Sequence, residues 1–302
     1  MKKILLIILG VVILNACSKD SPSVPDPNNA PAVSSVPDHF QQKILIESFT
    51  QTSGGQCPKA NLTLDSLIRF NPGRVYGVAM HINDPLSDTS LNQSFSGMNY
   101  YDSLFYPVGV YPSGMINRHL SSFADLSPDM WAGNVFSSIG DAPSCGLALE
   151  AEAIQGGTLT LTVHVGFSAN MFGQYRIHAY VVQDVVLSND STYDQINDFS
   201  FEGATPDTLL PLYALNDTIH LYSHKNVLRK VVTPDGVEGA IIPESAMTKG
   251  NDYITNFTID LSGIDIDNSH LIVFVDKYSP LISGHWIENV QRVSFRESKD
   301  WN

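Results

Sequence analysis

The chain is poor in cysteine, in positive charge and in long apolar runs, and each shortage excludes a class of protein. Three cysteines among 302 residues are too few for a disulfide framework or a cysteine-rich metal site. Lysine and arginine number 17 against 31 aspartates and glutamates, a balance that repels nucleic acid. The one sustained apolar run, Ile4 to Leu14, falls short of the roughly 20 residues of a spanning helix, although a permanent anchor is the competing reading. Also missing are G-x-S-x-G, H-E-x-x-H, a phosphate-cradling glycine loop and a dinucleotide fingerprint. No cofactor is expected.

What is present begins at the amino terminus. Met1, Lys2 and Lys3 precede the apolar run, and Leu14-Asn15-Ala16-Cys17 closes it, which is the plan of a cleaved export signal. The LxAC ending resembles a lipobox, so residues 1–16 are read as a signal peptide and Cys17 as the lipidated, palmitate-bearing first residue of the mature chain, since two acyl chains hold where one is marginal. Ser18-Lys19-Asp20 resembles the short charged tract of surface-displayed lipoproteins in Bacteroidota. Both the cell surface and the periplasmic face of the outer membrane stay open.

Residues 17–38 are mostly Ser, Pro, Asp, Asn, Ala and Val, a composition that cannot bury enough apolar surface to order itself, and are expected to form a tether. Beyond it, 43% apolar and 16% charged residues are enough for real cores, and the length suits two domains. Ile44-Leu45-Ile46 opens a buried strand, and Ala60, Leu64, Leu67 and Ile68 share one face of a helix with Pro58 in its first turn. Val75 to Met80 forms a second buried strand, so residues 39–142 read as α/β with parallel pairing. Ser127-Pro128 is expected to cap a helix presenting Trp131, Val135 and Ile139. From Gly146 the period becomes two, at Leu147, Leu149 and Ala151, at Leu159, Leu161 and Val163, and at Ile177, Ala179 and Val181. Residues 143–302 therefore read as an antiparallel β-sandwich.

The turn Thr50 to Pro58 lies where a thioredoxin-like fold carries its Cys-x-x-Cys. There the first cysteine attacks and the second resolves the mixed disulfide. Cys57 holds the second position and Gly54 the first, so the dithiol reaction is lost. Cys57 keeps three readings: a structural thiol, a disulfide with Cys145, or a lone catalytic thiol. Pro112, after Tyr111, falls where such folds place a cis-proline shelf that faces the helix and pairs with extended peptides; a plain turn is the alternative. His220 and His224 are spaced poorly for a metal pair. His81 with Asp84 fits a capped turn better than a cation site, and the oxygen-rich stretch Asp260, Asp265, Asp267 and Asn268 lacks the spacing of a calcium loop.

Lys43 to Thr50, the Cys57-Pro58 helix start, Val78 to Pro85 and Tyr111 to Arg118 together resemble the outer membrane protein 28-related lipoproteins of Bacteroidota. His224-Lys225-Asn226-Val227-Leu228-Arg229 is similar to that family's His-x-His-Val-Leu-Arg, with Asn226 in place of the second histidine. The resemblance spans about residues 40–295. It implies a thioredoxin-like domain followed by a β-sandwich, and a surface-interaction or adhesion role. Many relatives carry Trp-Cys-Gly-x-Cys-Pro where this chain has Ser53 to Pro58, so redox activity does not carry over. The reading is a membrane-anchored, non-catalytic module for a protein, peptide or glycan partner. A monothiol thiol-disulfide oxidoreductase using Cys57 is the alternative, and a hydrolase with paired carboxylates the third.

Overall fold

The run at Ile44 is the strand β1 (Ile44–Thr50), every residue of it buried. Successive side chains of a strand point to opposite faces, so Leu45 and Phe49 enter one core and Ile44 and Ile46 another. The computed structural model describes residues 33–87, 110–120, 122–201, 211–234, 238–279 and 285–302. The expected signal peptide, Cys17 and the expected tether up to residue 32 lie outside the described residues.

Helix α1 (Cys57–Phe70) starts with Pro58 in its first turn, where the missing N–H costs nothing, and lays Ala60, Leu64 and Leu67 onto Ile44, Ile46 and Val75. Strand β2 (Val75–His81) returns parallel to β1, from Val75 beside Ile44 to His81 beside Thr50. Strand β3 (Ser113–Ile116) joins the other side of β1 antiparallel. Helix α2 (Trp131–Ser138) buries Trp131 and Val135 in the same core as α1. It begins later than Ser127-Pro128 because Ser122 and Asp125 close a capping box on a separate 3-10 turn, Phe123–Leu126, leaving Ser127 extended. Ile139 is the C-cap residue of α2 and only partly buried.

Beyond α2 the described chain is mostly strand. In order these are β4 (Cys145–Gln155), β5 (Thr158–Phe167), β6 (Tyr175–Val186), β7 (Gln195–Ile196), β8 (Thr218–Ile219) and β9 (His224–Val231). They are followed by β10 (Ala240–Ile242), β11 (Asp252–Asp260), β12 (Ser269–Lys277), β13 (Trp286–Ser294) and β14 (Ser298–Lys299). Strands β11, β5, β4 and β14 pair in that order as one sheet. A second sheet runs β13-β12-β6-β9-β2-β1-β3, with β10 also on β6, and β7 pairs with β8 alone.

The larger sheet unites chain from both sides of the boundary expected after residue 142. Strand β9 pairs antiparallel with β6 and touches β2 in parallel at Val227 beside Ala79, and Val33–Asn302 form one compact unit. Strands β6 and β12 are covered on both faces. Ile177, Ala179, Val181, Leu271, Val273 and Val275 pack against the smaller sheet, while Tyr180, Val182, Ile272 and Phe274 share a core with Leu45, Phe49, Val78 and Met80. The sheet curls until its ends meet: the Ile287 N–H donates to the Asn117 carbonyl (2.7 Å) and the Lys43 N–H to Asn289 Oδ1 (3.1 Å). The core of Leu45 and Phe274 thus becomes an interior.

The last part of the expected tether is docked. The Trp301 indole donates to the Ser34 carbonyl (2.7 Å), Ser34 donates to Asp300 Oδ1, and Val36 and Trp301 close over Gly166. Residues 33–38 order because the C-terminal residues supply partners that their own composition does not.

Candidate functional site

Parallel strands present ligands beyond their carboxyl ends, and Thr50 and His81 mark those ends here. The turn after β1 folds back on itself, the Gly54 N–H donating to Gln51 and the Cys57 N–H to Gly54. Cys57 lies at the start of α1, where the helix dipole favours a thiolate. Yet its side chain is fully buried, and burial, with Asp84 and Asp198 adding, pushes the thiol up against the opposing pull of Thr50 and the Gln51 backbone. A β-carbon at Gly54 would fall 2.5 Å from Cys57 Sγ. The position against the sulfur is therefore the one that carries no side chain.

The turn is roofed by the chain between β6 and β9. Gln195, fully buried, donates its side-chain amide to the carbonyls of Gln51 (3.3 Å), Thr52 (3.0 Å) and Gly54 (3.1 Å). The Ile196 and Asp198 N–H groups donate to Thr52 and Gly55, and Gln56 Nε2 reaches Asp198 Oδ2 (3.2 Å). The Asp198 carboxylate fills the space a side chain at Gly55 would need, 2.0 Å from its β-carbon position. Carbonyls that could have faced a ligand are taken by the protein itself.

On the β2 side, His81 Nδ1 lies 2.7 Å from Asp84 Oδ2, which also accepts the Thr52 N–H, while Oδ1 accepts the Leu86 N–H. Burial alone would raise the Asp84 carboxyl; His81 and these backbone donors bring it below the usual range. This is the capped turn the sequence favoured. The His224 ring stands edge-on to His81 (5.2 Å) and Tyr222 (4.9 Å) and lies against the Tyr193 carbonyl (Nε2···O 2.8 Å), which fixes a neutral tautomer with the proton on Nε2. Burial lowers its pKa to about 4.

The remaining candidates separate. Cys57 and Cys145 are both buried and free, so the disulfide between them is not made. Cys145 begins β4 inside the inter-sheet core, away from the turn that holds Cys57. Pro112 precedes β3 with a cis Tyr111–Pro112 bond, and the pairing of Ser113 with Phe49 brings it alongside the Thr50 end of β1. His220 is exposed against Asp194 while His224 is buried, so they share no centre. Asp260 caps Ser262, Asp267 pairs with Arg296 and Asn268 binds Val185. Among the described residues no group of His, Cys, Asp and Glu could hold a metal ion.

A buried charge network went unread. Arg118, fully buried, grips both Glu47 oxygens (2.8 and 2.9 Å) and Asp276 Oδ2 (2.7 Å), and Asp276 Oδ1 meets His178 Nε2 (2.9 Å). The His178 ring stacks flat on Phe274 (4.6 Å). Burial lowers His178; burial would raise Asp276, but His178 and Arg118 hold it at about 2. Part of the signal was available: Glu47 is the single charge inside the otherwise uncharged buried run of β1, and such a residue seldom lies inside without a partner.

Comparison with known proteins gives a family and a fold. The family model described as outer membrane protein Omp28 matches residues 98–299. No curated protein matches the chain. Among solved structures, HBP35 of Porphyromonas gingivalis aligns with a TM-score of 0.64 at 18% identity, covering 86% of this chain and 77% of its own. A structural-genomics protein of Agrobacterium tumefaciens aligns at 0.50 and 13% identity, covering 85% of this chain and 95% of its own. At these identities the likeness is one of fold.

Proposed function

We propose, from the premise that this chain belongs to the Omp28 family of outer membrane proteins, that it is a lipoprotein held by acylated Cys17 whose body is a non-catalytic binding module. Its partner is a protein, peptide or glycan. The β1-α1-β2 unit with antiparallel β3 and α2 supports a thioredoxin-like reading of residues 39–142. The packing of β6 and β12 on β4, β5 and β11 supports a β-sandwich reading of residues 143–302.

One observation carries the non-catalytic reading: Cys57 is buried under Gln195 and Asp198, raised in pKa, and faces Gly54 where a resolving or attacking thiol would have to be. A thiol enzyme needs a thiolate that a client disulfide can reach, and both conditions fail.

The test is thiol titration of the native chain alongside insulin reduction. Two slowly reacting thiols beyond the acylated one and no turnover are expected; turnover that disappears in Cys57→Ser would overturn the reading. Metabolic labelling with palmitate, lost in Cys17→Ala together with membrane retention, tests the anchor. Protease shaving of intact cells reports which face of the membrane carries the body.

A further inference from the structure

The two edges of the smaller sheet are built differently. On one side β14 is two residues long and includes Lys299, and the backbone just before it is tied to β4 through Arg296, Glu297 and Ala151. Short strands and lysine are common ways of keeping an edge from recruiting another chain. On the other side β11 runs nine residues in unbroken antiparallel register with β5, from Asp252 beside Gly166 to Asp260 beside Thr158. Between those aspartates, Tyr253 to Ile259 contains no charge, proline or glycine.

The register says which backbone groups are free. The Asn251 carbonyl accepts the Phe167 N–H, and the Leu261 N–H donates to Gly157. Odd-numbered residues of β11 therefore turn toward β5, and Ile254, Asn256 and Thr258 turn their N–H and C=O groups away from it. Among the described residues nothing pairs with this edge, since β11 is the last strand in the sheet order. Ile254 is 53% exposed, and Asn256 and Thr258 are exposed as well. The stretch ends at Asp260, whose carbonyl is occupied by Lys230 Nζ (3.0 Å).

We propose that the free edge of β11 is a docking site for an extended segment of a partner protein, added as a further strand, with an uncharged centre and basic residues at both ends. Main-chain hydrogen bonds to Ile254, Asn256 and Thr258 supply the affinity, and alternate side chains the selectivity. The charge follows from the exposed Asp260 and from Asp252, whose Oδ2 lies 2.8 Å from His164 Nδ1; the two bracket the open stretch on a chain of net charge −14. A second copy fits less well, because the antiparallel register centred on Asn256 sets Asp252 of each copy opposite Asp260 of the other, and like charges directly opposed are destabilising. This inference rests on the binding-module reading and names its site and partner class.

The probe is a synthetic peptide of alternating threonine and valine with lysine at both ends, offered to the full chain in detergent and followed by hydrogen exchange. Saturable binding with new protection at Ile254, Asn256 and Thr258 is expected. Asn256→Pro, tolerable on an edge because its lost N–H faces outward, should weaken binding about tenfold, a free-energy change of about 1.4 kcal/mol. A probe N-methylated at every residue, so that neither of its edges can donate, should fail equally while leaving the protein untouched, and glutamate in place of the terminal lysines should weaken binding severalfold. Absence of binding, equal binding of the N-methylated probe, or protection elsewhere overturns the proposal. So does self-association in sedimentation that Asn256→Pro abolishes, since the occupant is then a second copy. Insulin turnover, by contrast, bears only on the binding-module reading, so the two fail separately.

Discussion

The side-chain amide of Gln195 donates to the carbonyl of Gly54 at 3.1 Å, joining residues 141 positions apart in sequence across the turn that leads into Cys57. Gln195 donates to two further carbonyls of the same turn, so the roof is held by the backbone it covers. Cys57 is thus shut in by burial as well as raised in pKa.

Removing that amide should expose the sulfur. In Gln195→Ala the carbonyls of Gln51, Thr52 and Gly54 lose a buried donor, at a cost of about 1–3 kcal/mol. The native-state reaction of Cys57 with an aromatic disulfide should speed up by about tenfold or more if that cost is spent in local opening. An unchanged rate with an unchanged urea midpoint would show that the roof does not control access.

Gly54→Cys should restore a vicinal pair. A β-carbon at this position lies 3.7 Å from Cys57 Cβ, inside the range of a disulfide, and the Cys57 Sγ now 2.5 Å from it must turn aside to form the bond. Intact mass under oxidising conditions should show the loss of two hydrogens, with Cys145 left as a free thiol. Two reduced thiols at positions 54 and 57 after oxidation would mean that the turn is shaped differently.

Arg118→Met should be among the most damaging single changes. It leaves Glu47 and Asp276 buried without their cation, and breaking a buried ion pair from one side costs about 3–5 kcal/mol. The urea midpoint should fall accordingly. Glu47→Gln combined with Asp276→Asn in the same background should recover part of the loss, because the uncompensated charge is then gone.

Stability should fall as pH drops below neutrality. The folded pKa of His224 is lowered from 6.5 to about 4, so between those values the unfolded chain binds a proton that the native one refuses, and the stability contribution fully present above pH 6.5 is lost toward pH 4. For this one group the span is about 3 kcal/mol. His178 and His270 are shifted in the same direction by burial. Urea titrations from pH 7.5 to 4 measure the slope, and His224→Gln, which keeps a donor for Tyr193, should flatten it. Asp276, held at about 2, acts lower: its contribution is present above the ordinary aspartate value and is lost as pH falls toward 2.

Local pattern was enough for much of this molecule. Continuous apolar runs marked β1 and β2, and the spacing of Ala60, Leu64 and Leu67 marked α1. Alternation marked β5. Each depends on neighbours a few residues apart, where strand and helix periods are written directly into the order of side chains. What tertiary structure alone decided involves partners far apart. Val227 beside Ala79 welds two expected domains into one sheet, Gln195 reaches Gly54, Arg118 gathers Glu47 and Asp276, and Trp301 captures Ser34. Periodicity shows that a strand buries both faces but not which strand lies beside it, and a lone buried charge announces that a partner exists without naming it. Those choices follow from how the sheets curl and pack, and they turn a recognisable turn and thiol into a sealed one.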